Sequence, residues 1–293
     1  MITELGDRAP TRLVVNADDF GMNTAINGGI IQAHLHGIVT STSLMANGAC
    51  WQEAVALSRK HPTFDTGIHL TLVDGAPISP TNRIPSLLDA NGKFLPDIFT
   101  FTRRYLRGAI QLAQVECELE AQIKRLQNQH VTISHLDSHQ HSHMLPGIYQ
   151  LVRRLAIRHG IRFIRSPAET QYHLFHDHSP CWPRLIQQWG LWALSRLQSP
   201  LPCHTNDAFA GFYNGGALNL DALTAIIHHL PQGKTTELMC HPGLAPSSEH
   251  RGAIYHRDAE LAALTNPAIE SLLEHRHIQR TTYRKITGEG VRP

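Results

Sequence analysis

The amino-acid sequence predicts an α/β fold, a parallel sheet with helices packed outside it. Three observations predict this. Short apolar runs rich in β-branched residues alternate with stretches of helical periodicity along the chain. The 293 residues, 42% of them hydrophobic, suffice for one large domain with a full core. A barrel or doubly wound sheet commonly uses this length as one unit. Finally, the residues able to do chemistry fall at or near the carboxyl ends of the predicted strands, where α/β folds place their sites.

The elements follow in order. Residues 13–15 are a buried strand running out at Asn16-Ala17-Asp18-Asp19, and 24–35 are helical. Residues 38–45 are β-branched and read as the second strand, followed by a helix over 51–60. Residues 66–72 read as a strand that carries His69. Residues 74–101 are rich in Pro, Gly and Asn and read as a long loop with a short helix at most. A strongly helical stretch, 115–127, leads into a histidine-rich run. Residues 145–159 are helical and 161–164 are a strand. Residues 183–198 and 220–230 are helical. The strand 235–240 ends at His241-Pro242-Gly243, and 243–252 form another loop. Residues 1–11 and 287–293 are expected to fray. No short solenoid repeat is present.

Composition excludes several function classes. There are 26 basic and 24 acidic residues, a net charge of +2, with no clustered basic patch of a nucleic-acid binder. The five cysteines (50, 117, 181, 203 and 240) include no C-x-x-C pair, which argues against a disulfide framework or a thiolate zinc site. Reduced thiols fit a cytoplasmic location. Residues 1–12 lack the apolar core of a signal peptide, and no run of about 18 apolar residues would span a membrane.

The most informative segment is His135-Leu136-Asp137-Ser138-His139-Gln140-His141-Ser142-His143. Residues i and i+2 share a strand face, so an extended run would point five ionisable side chains the same way. Such a row is costly to bury unless a metal ion or substrate satisfies it. Asp18-Asp19 could serve two roles, one carboxylate on a metal and one on a proton, if the chain turns there, and Gly21 permits a turn. Equally, Asp19 or Asn23 could cap the following helix. His69 reads as a core histidine or as a third ligand. Two imidazoles and a carboxylate suit Zn²⁺, Fe²⁺, Mn²⁺ or Co²⁺ by ligand type, better than Mg²⁺. Asp137 could orient a histidine ring. His241 could be a general acid, or simply a turn residue before proline.

These segments resemble the YdjC-like carbohydrate deacetylases. The matching stretches are Val15-Asn16-Ala17-Asp18-Asp19-Phe20-Gly21, Gly37-Ile38-Val39-Thr40-Ser41-Thr42-Ser43-Leu44-Met45, Gly67-Ile68-His69-Leu70, the run from His135 to His141, and Met239-Cys240-His241-Pro242. They lie in the family's order across most of the chain. The resemblance implies a single domain with an irregular (β/α) barrel that removes an N-acetyl group from an amino sugar and releases acetate. It implies Asp19, His69 and His139 as ligands of one divalent metal, with Asp18 the general base and His241 the general acid. The family is usually described with Mg²⁺, which sits awkwardly with two imidazoles, so the metal stays open. His141 and His143 are not assigned as ligands; on the same strand face they could touch substrate, or replace His139 if the strand register differs. Arg165 could hold Asp18 or substrate, or be an ordinary surface arginine.

Two branches differ in substrate. One acts on chitin disaccharides. The other is the hopanoid-biosynthesis-associated, HpnK-like branch, whose substrate is a lipid-bearing N-acetylglucosamine. Leu72-Val73-Asp74-Gly75-Ala76-Pro77, the stretch 84–94, Thr205-Asn206-Asp207 and the stretch 260–268 resemble the second. Trp189 and Trp192 in the helix 183–198, with Arg184 and Arg196 beside them, suggest an amphipathic lid meeting a lipid-linked sugar or a membrane surface. Packing on the core or at a homodimer interface is the plainer alternative. A barrel amidohydrolase or phosphoesterase using His139-Gln140-His141 competes with the deacetylase reading, as does a non-catalytic sugar-binding protein.

Overall fold

β1 (Arg12–Phe20) is the spine of the molecule, with all but its first residue buried. In the computed structural model the described residues are 9–169, 182–196, 203–245, 247–248 and 254–288. α1 (Thr24–His36) follows β1, capped by Asn23 Oδ1 accepting from Ile26 N at 2.9 Å. Then come β2 (Ser41–Leu44), α2 (Trp51–Lys60) and β3 (Asp65–Leu70). After the long loop come α3 (Ile98–Leu106), α4 (Leu112–Asn128), β4 (Leu136–Ser138) and α5 (Ile148–Arg158). The rest is α6 (Trp182–Arg196), β5 (Ala208–Ala210), α7 (Leu220–His228), β6 (Thr235–Cys240), β7 (Ser247–Ser248), β8 (Ile254–Tyr255), α8 (Arg257–Leu264), α9 (Pro267–His275), β9 (Gln279–Arg280) and α10 (Tyr283–Ile286).

The main sheet runs β4-β3-β2-β1-β6-β5, with β9 beside the start of β1. Every pair in it is parallel. Between β4 and β5 the curl continues through single parallel bridges: Leu136 with Ile164, Phe163 with His204, and Glu169 with Phe209. This is an irregular (β/α) barrel, as expected. Strand alternation separates two surfaces. Leu13, Val15 and Ala17 join the main core with the helices, whereas Val14 meets Phe163 and Tyr283 in a small separate cluster.

Several elements depart from the sequence reading. The 161–164 segment makes bridges, not a ladder. β5, α8 and α9 were not anticipated. The 74–101 loop ends in α3 and is tied down by buried polar residues of α4. Glu118 accepts from the amides of Ile78 (2.9 Å) and Ser79 (2.8 Å), and Gln122 accepts from Thr71 N at 2.9 Å. At the chain ends, Thr11 O accepts from Gln279 N, and Thr287 N donates to Tyr283 O; residues 1–8 and 289–293 lie outside the described part.

The histidine-rich run is the main correction. Only Leu136–Ser138 are extended. His139–Met144 form 3-10 turns, with Gln140 and His141 at φ of +51° and +53°. The five side chains therefore do not share a face. His135 and Asp137 point inward from the strand, both reaching Ser43 Oγ. His135 stacks on Tyr283 at 3.7 Å between ring centroids. A Cβ on Gly67 would lie 2.4 Å from the His135 ring, so the strand beside it must carry glycine there.

Candidate active site

The two adjacent aspartates come together through a bulge. Ala17 pairs with Thr42 and Phe20 with Leu44, so β1 carries one extra residue. Asp19 takes φ +68° and Gly21 +97°, which re-aims the chain and lets neighbouring carboxylates face one site. A left-handed aspartate costs on the order of 1 kcal/mol or more, strain typical of functional positions. Asn23, not Asp19, caps α1.

Asp18 is buried and held from two sides. Arg165 donates to both its oxygens at 2.7 Å, and Asn16 Nδ2 donates to Oδ1 at 2.8 Å. Arg165 is fully buried, so it is no surface arginine. It also reaches Asp137 at 2.6 Å and Glu237 at 2.5 Å. Burial opposes its charge, but these three carboxylates outweigh it and keep the guanidinium firmly protonated. Glu237 is pushed up to about 7, chiefly by burial.

Asp19, His69 and His139 converge. Asp19 Oδ1 lies 3.5 Å from His69 Nε2 and 3.2 Å from His139 Nδ1. The other oxygen accepts from Arg257 Nη2 at 2.7 Å. Burial works against ionising Asp19, yet Arg257, His139 and His241 hold its carboxyl well below the usual range. On the far side of His69, Nδ1 donates to Asp137 Oδ1 at 2.7 Å. That bond fixes the proton on Nδ1 and turns Nε2 toward Asp19, the orientation a metal-binding imidazole needs.

The donor chemistry fits a divalent ion. Two imidazoles and a carboxylate offer atoms within 4.8 Å of one another. Four buried carboxylates (Asp18, Asp19, Asp137 and Glu237) face two buried guanidinium groups (Arg165 and Arg257). Glu237, pushed up to about 7, is only partly ionised near neutral pH, yet the carboxylates remain in excess and favour a cation in the cluster. Burial disfavours a charge on His69, but Asp137, Asp18 and Asp19 raise it to about 9, so a proton partly substitutes for such a charge. A second grouping, Asp18 with His69 and Asp137, fits less well. Arg165 already occupies both of those carboxylates and would repel a cation.

The remaining candidates separate. His141 turns away from the cluster, its ring 6.1 Å from Phe209 and 5.4 Å from Phe212. It lines the cavity but does not join His139 in a His-x-His site. His143 is tied between Ser138 Oγ (2.6 Å) and the Arg165 carbonyl (3.1 Å), which leaves it no free edge for substrate. His241 packs edge-on to Tyr255, its amide donates to Glu260 Oε2 at 2.6 Å, and Nδ1 has no partner among the described residues. Asp19, His69, His139, His141 and His241 line a cavity of about 850 Å³, within the roughly 300–1,000 Å³ of small-molecule sites. α3 and α6 form its outer walls.

Sequence reasoning missed Ser43, Glu237, Arg257 and Glu260. Glu237 left a trace, since an acid inside an otherwise apolar strand demands a buried partner. Ser43 and Glu260 lie inside the stretches 37–45 and 260–268 that resemble the family, but nothing there gave them a site role, and Arg257 has no local signal. They matter only once distant segments meet.

Comparison with known proteins matches this frame. Residues 12–275 match the family described as YdjC-like protein. The chain belongs to that family. YdjC-like relatives include a carbohydrate deacetylase of Geobacillus stearothermophilus, 32% identical over 94% of this chain and 98% of its own. A chitooligosaccharide deacetylase of Serratia marcescens is 32% identical over 90% of this chain and 94% of its own. A solved structure from Enterococcus faecalis V583, provisionally assigned as a cellobiose-phosphate cleavage protein, superposes with a TM-score of 0.75 at 25% identity, covering 95% of this chain and 99% of its own.

Proposed function

We propose that this YdjC-like protein is a carbohydrate deacetylase that hydrolyses the N-acetyl group of an N-acetylglucosamine-containing glycan or glycolipid. One observation carries the reading. A bidentately held carboxylate, Asp18, adjoins the Asp19–His69–His139 donor cluster, and His241 closes the same cavity. The names of the relatives support the substrate class.

Asp19, His69 and His139 would hold one divalent metal. Mg²⁺ is the family's usual ion, and Zn²⁺ or another transition metal suits the ligand types. When bound, the metal polarises the acetyl carbonyl and lowers the pKa of a water. Asp18 accepts the proton of the attacking water, with Arg165 and Asn16 fixing its orientation. The water oxygen bonds to the carbonyl carbon and the C–N bond breaks. His241 gives its proton to the departing amine, so acetate and a free amino sugar leave. Asp137 holds the His69 ring in place throughout. The apolar walls contributed by α3 and α6 suit a substrate with an apolar portion beyond the sugar.

The test is acetate release before and after metal removal. Treatment with a chelator should abolish release, and one equivalent of divalent metal per chain should restore it. Full activity in the stripped protein would refute the reading. A requirement for two metals per chain would favour a barrel amidohydrolase instead.

A further inference from the structure

We propose that α3 and α6 form a docking surface for a bilayer containing anionic lipid, with the cavity mouth turned toward the headgroups. The exposed side of α6 is apolar. Ile186 is 71% exposed, Trp189 57% and Trp192 44%, while the inner side buries Leu185 and Gln188. Gly190 and Ala193 extend that exposed face. A helix facing water alone would carry charged residues there. Across the same cavity α3 exposes Phe99 at 47% and Leu106 at 78%. Tryptophan and phenylalanine on an exposed face beside arginines are the composition of interfacial helices.

Charge identifies the partner. Residues 98–115 hold Arg103, Arg104 and Arg107 and no acid, and 182–196 hold Arg184 and Arg196 and no acid. The whole chain is nearly balanced at +2, so these five arginines are a local excess. Arg104 and Arg184 are spent on backbone carbonyls. Arg103 and Arg107 line the cavity mouth, and Arg196 stacks over Trp192 at 5.4 Å. Such an array complements a negative surface. It also opposes a second copy of the chain, because a twofold contact through this face would bring like charges together. No helix among the described residues is long and apolar enough to cross a membrane, so contact would be peripheral.

The test is flotation of the metal-loaded protein with phosphatidylcholine vesicles, with and without about one-third phosphatidylglycerol. Binding should require phosphatidylglycerol and weaken with salt. Arg103→Gln with Arg107→Gln should lower the partition coefficient about 30-fold. Trp189→Ser with Trp192→Ser should abolish flotation while bound metal per chain and the thermal unfolding midpoint stay those of the wild type. Wild-type protein that ignores anionic vesicles, or variants that float equally, would overturn the proposal. So would a dimer by sedimentation equilibrium that the tryptophan variant dissolves, which would assign the face to a second copy. Flotation is read without turnover, so its failure is distinct from failure of the deacetylase reading.

Discussion

His69 on β3 and His135 immediately before β4 are both buried in the barrel and both lie near Asp137, yet they are driven in opposite directions. Burial disfavours the charged form of each. At His69 the carboxylates of Asp137, Asp18 and Asp19 overcome that penalty and lift it to about 9. At His135 burial prevails, helped by Arg165 and His69, and it falls to about 3. The difference is one of layers. The upper layer of the barrel is an acidic cradle that asks for a cation. The lower layer is aromatic, with His135 stacked on Tyr283 and Phe163 beside it. Identical residue types from two separate segments thus meet an acidic cluster in one layer and an aromatic stack in the other.

The largest expected effect lies in the upper layer. Asp18→Asn should cut acetate release by about 10²–10⁴-fold while metal binding persists, measured by turnover and metal content on one preparation. Loss of metal with loss of activity would move Asp18 into the ligand set. Asp137→Asn comes next. It frees the His69 ring, and metal affinity measured by competition with a chelator should fall about 10–100-fold. An unchanged affinity would show that Asp137 only balances Arg165.

The lower layer should respond in stability instead. Gly67→Ala drives a methyl into the His135 ring and should cost about 1–3 kcal/mol in denaturant unfolding. Turnover per folded, metal-loaded molecule should hardly change.

The remaining effect is confined to the pH dependence of stability and is small near neutral pH. An unfolded histidine titrates near 6.5, while His135 in place titrates at about 3 and His143 at about 4. The unfolded chain takes those protons first. Stability from these two groups is therefore constant above about 6.5 and falls below it, by about 1.4 kcal/mol per pH unit for each. His69 has the opposite sign in metal-free protein. Its contribution is complete below about 6.5 and is lost as pH rises through about 9. His135→Leu should flatten the acid limb and leave the alkaline limb. If it alters the alkaline limb, the two layers are not independent.

The same contrast explains what could be read from sequence. The strands of the spine, β1 and β6, were legible as short runs ending in polar residues, α1 by its local Asn23 cap and α2 by its one-sided apolar face. Asn266 followed by Pro267 marked the start of α9 in the same way, and that signal was overlooked. β5 spans three residues without a β-branched side chain, too short for any pattern. The shape of the histidine run was not legible. Left-handed backbone at Gln140 and His141 breaks the alternation, and Gln140 is fixed by accepting from Ile98 N, a residue 42 positions away. The cluster of Asp19, His69 and His139 was named only through family resemblance. Arg257, which holds Asp19 from the far end of the chain, belongs to no local motif at all.

The decisive measurement is acetate released by wild-type and Asp18→Asn protein loaded with the same divalent metal. N-acetylglucosamine should be offered both as a disaccharide and on a lipid. The wild type should release acetate from at least one of these, and the variant should bind its metal and release almost none. Equal release by the two proteins, or none from either substrate by a wild type carrying one metal per chain, would contradict a deacetylase built on Asp18 and the Asp19–His69–His139 cluster.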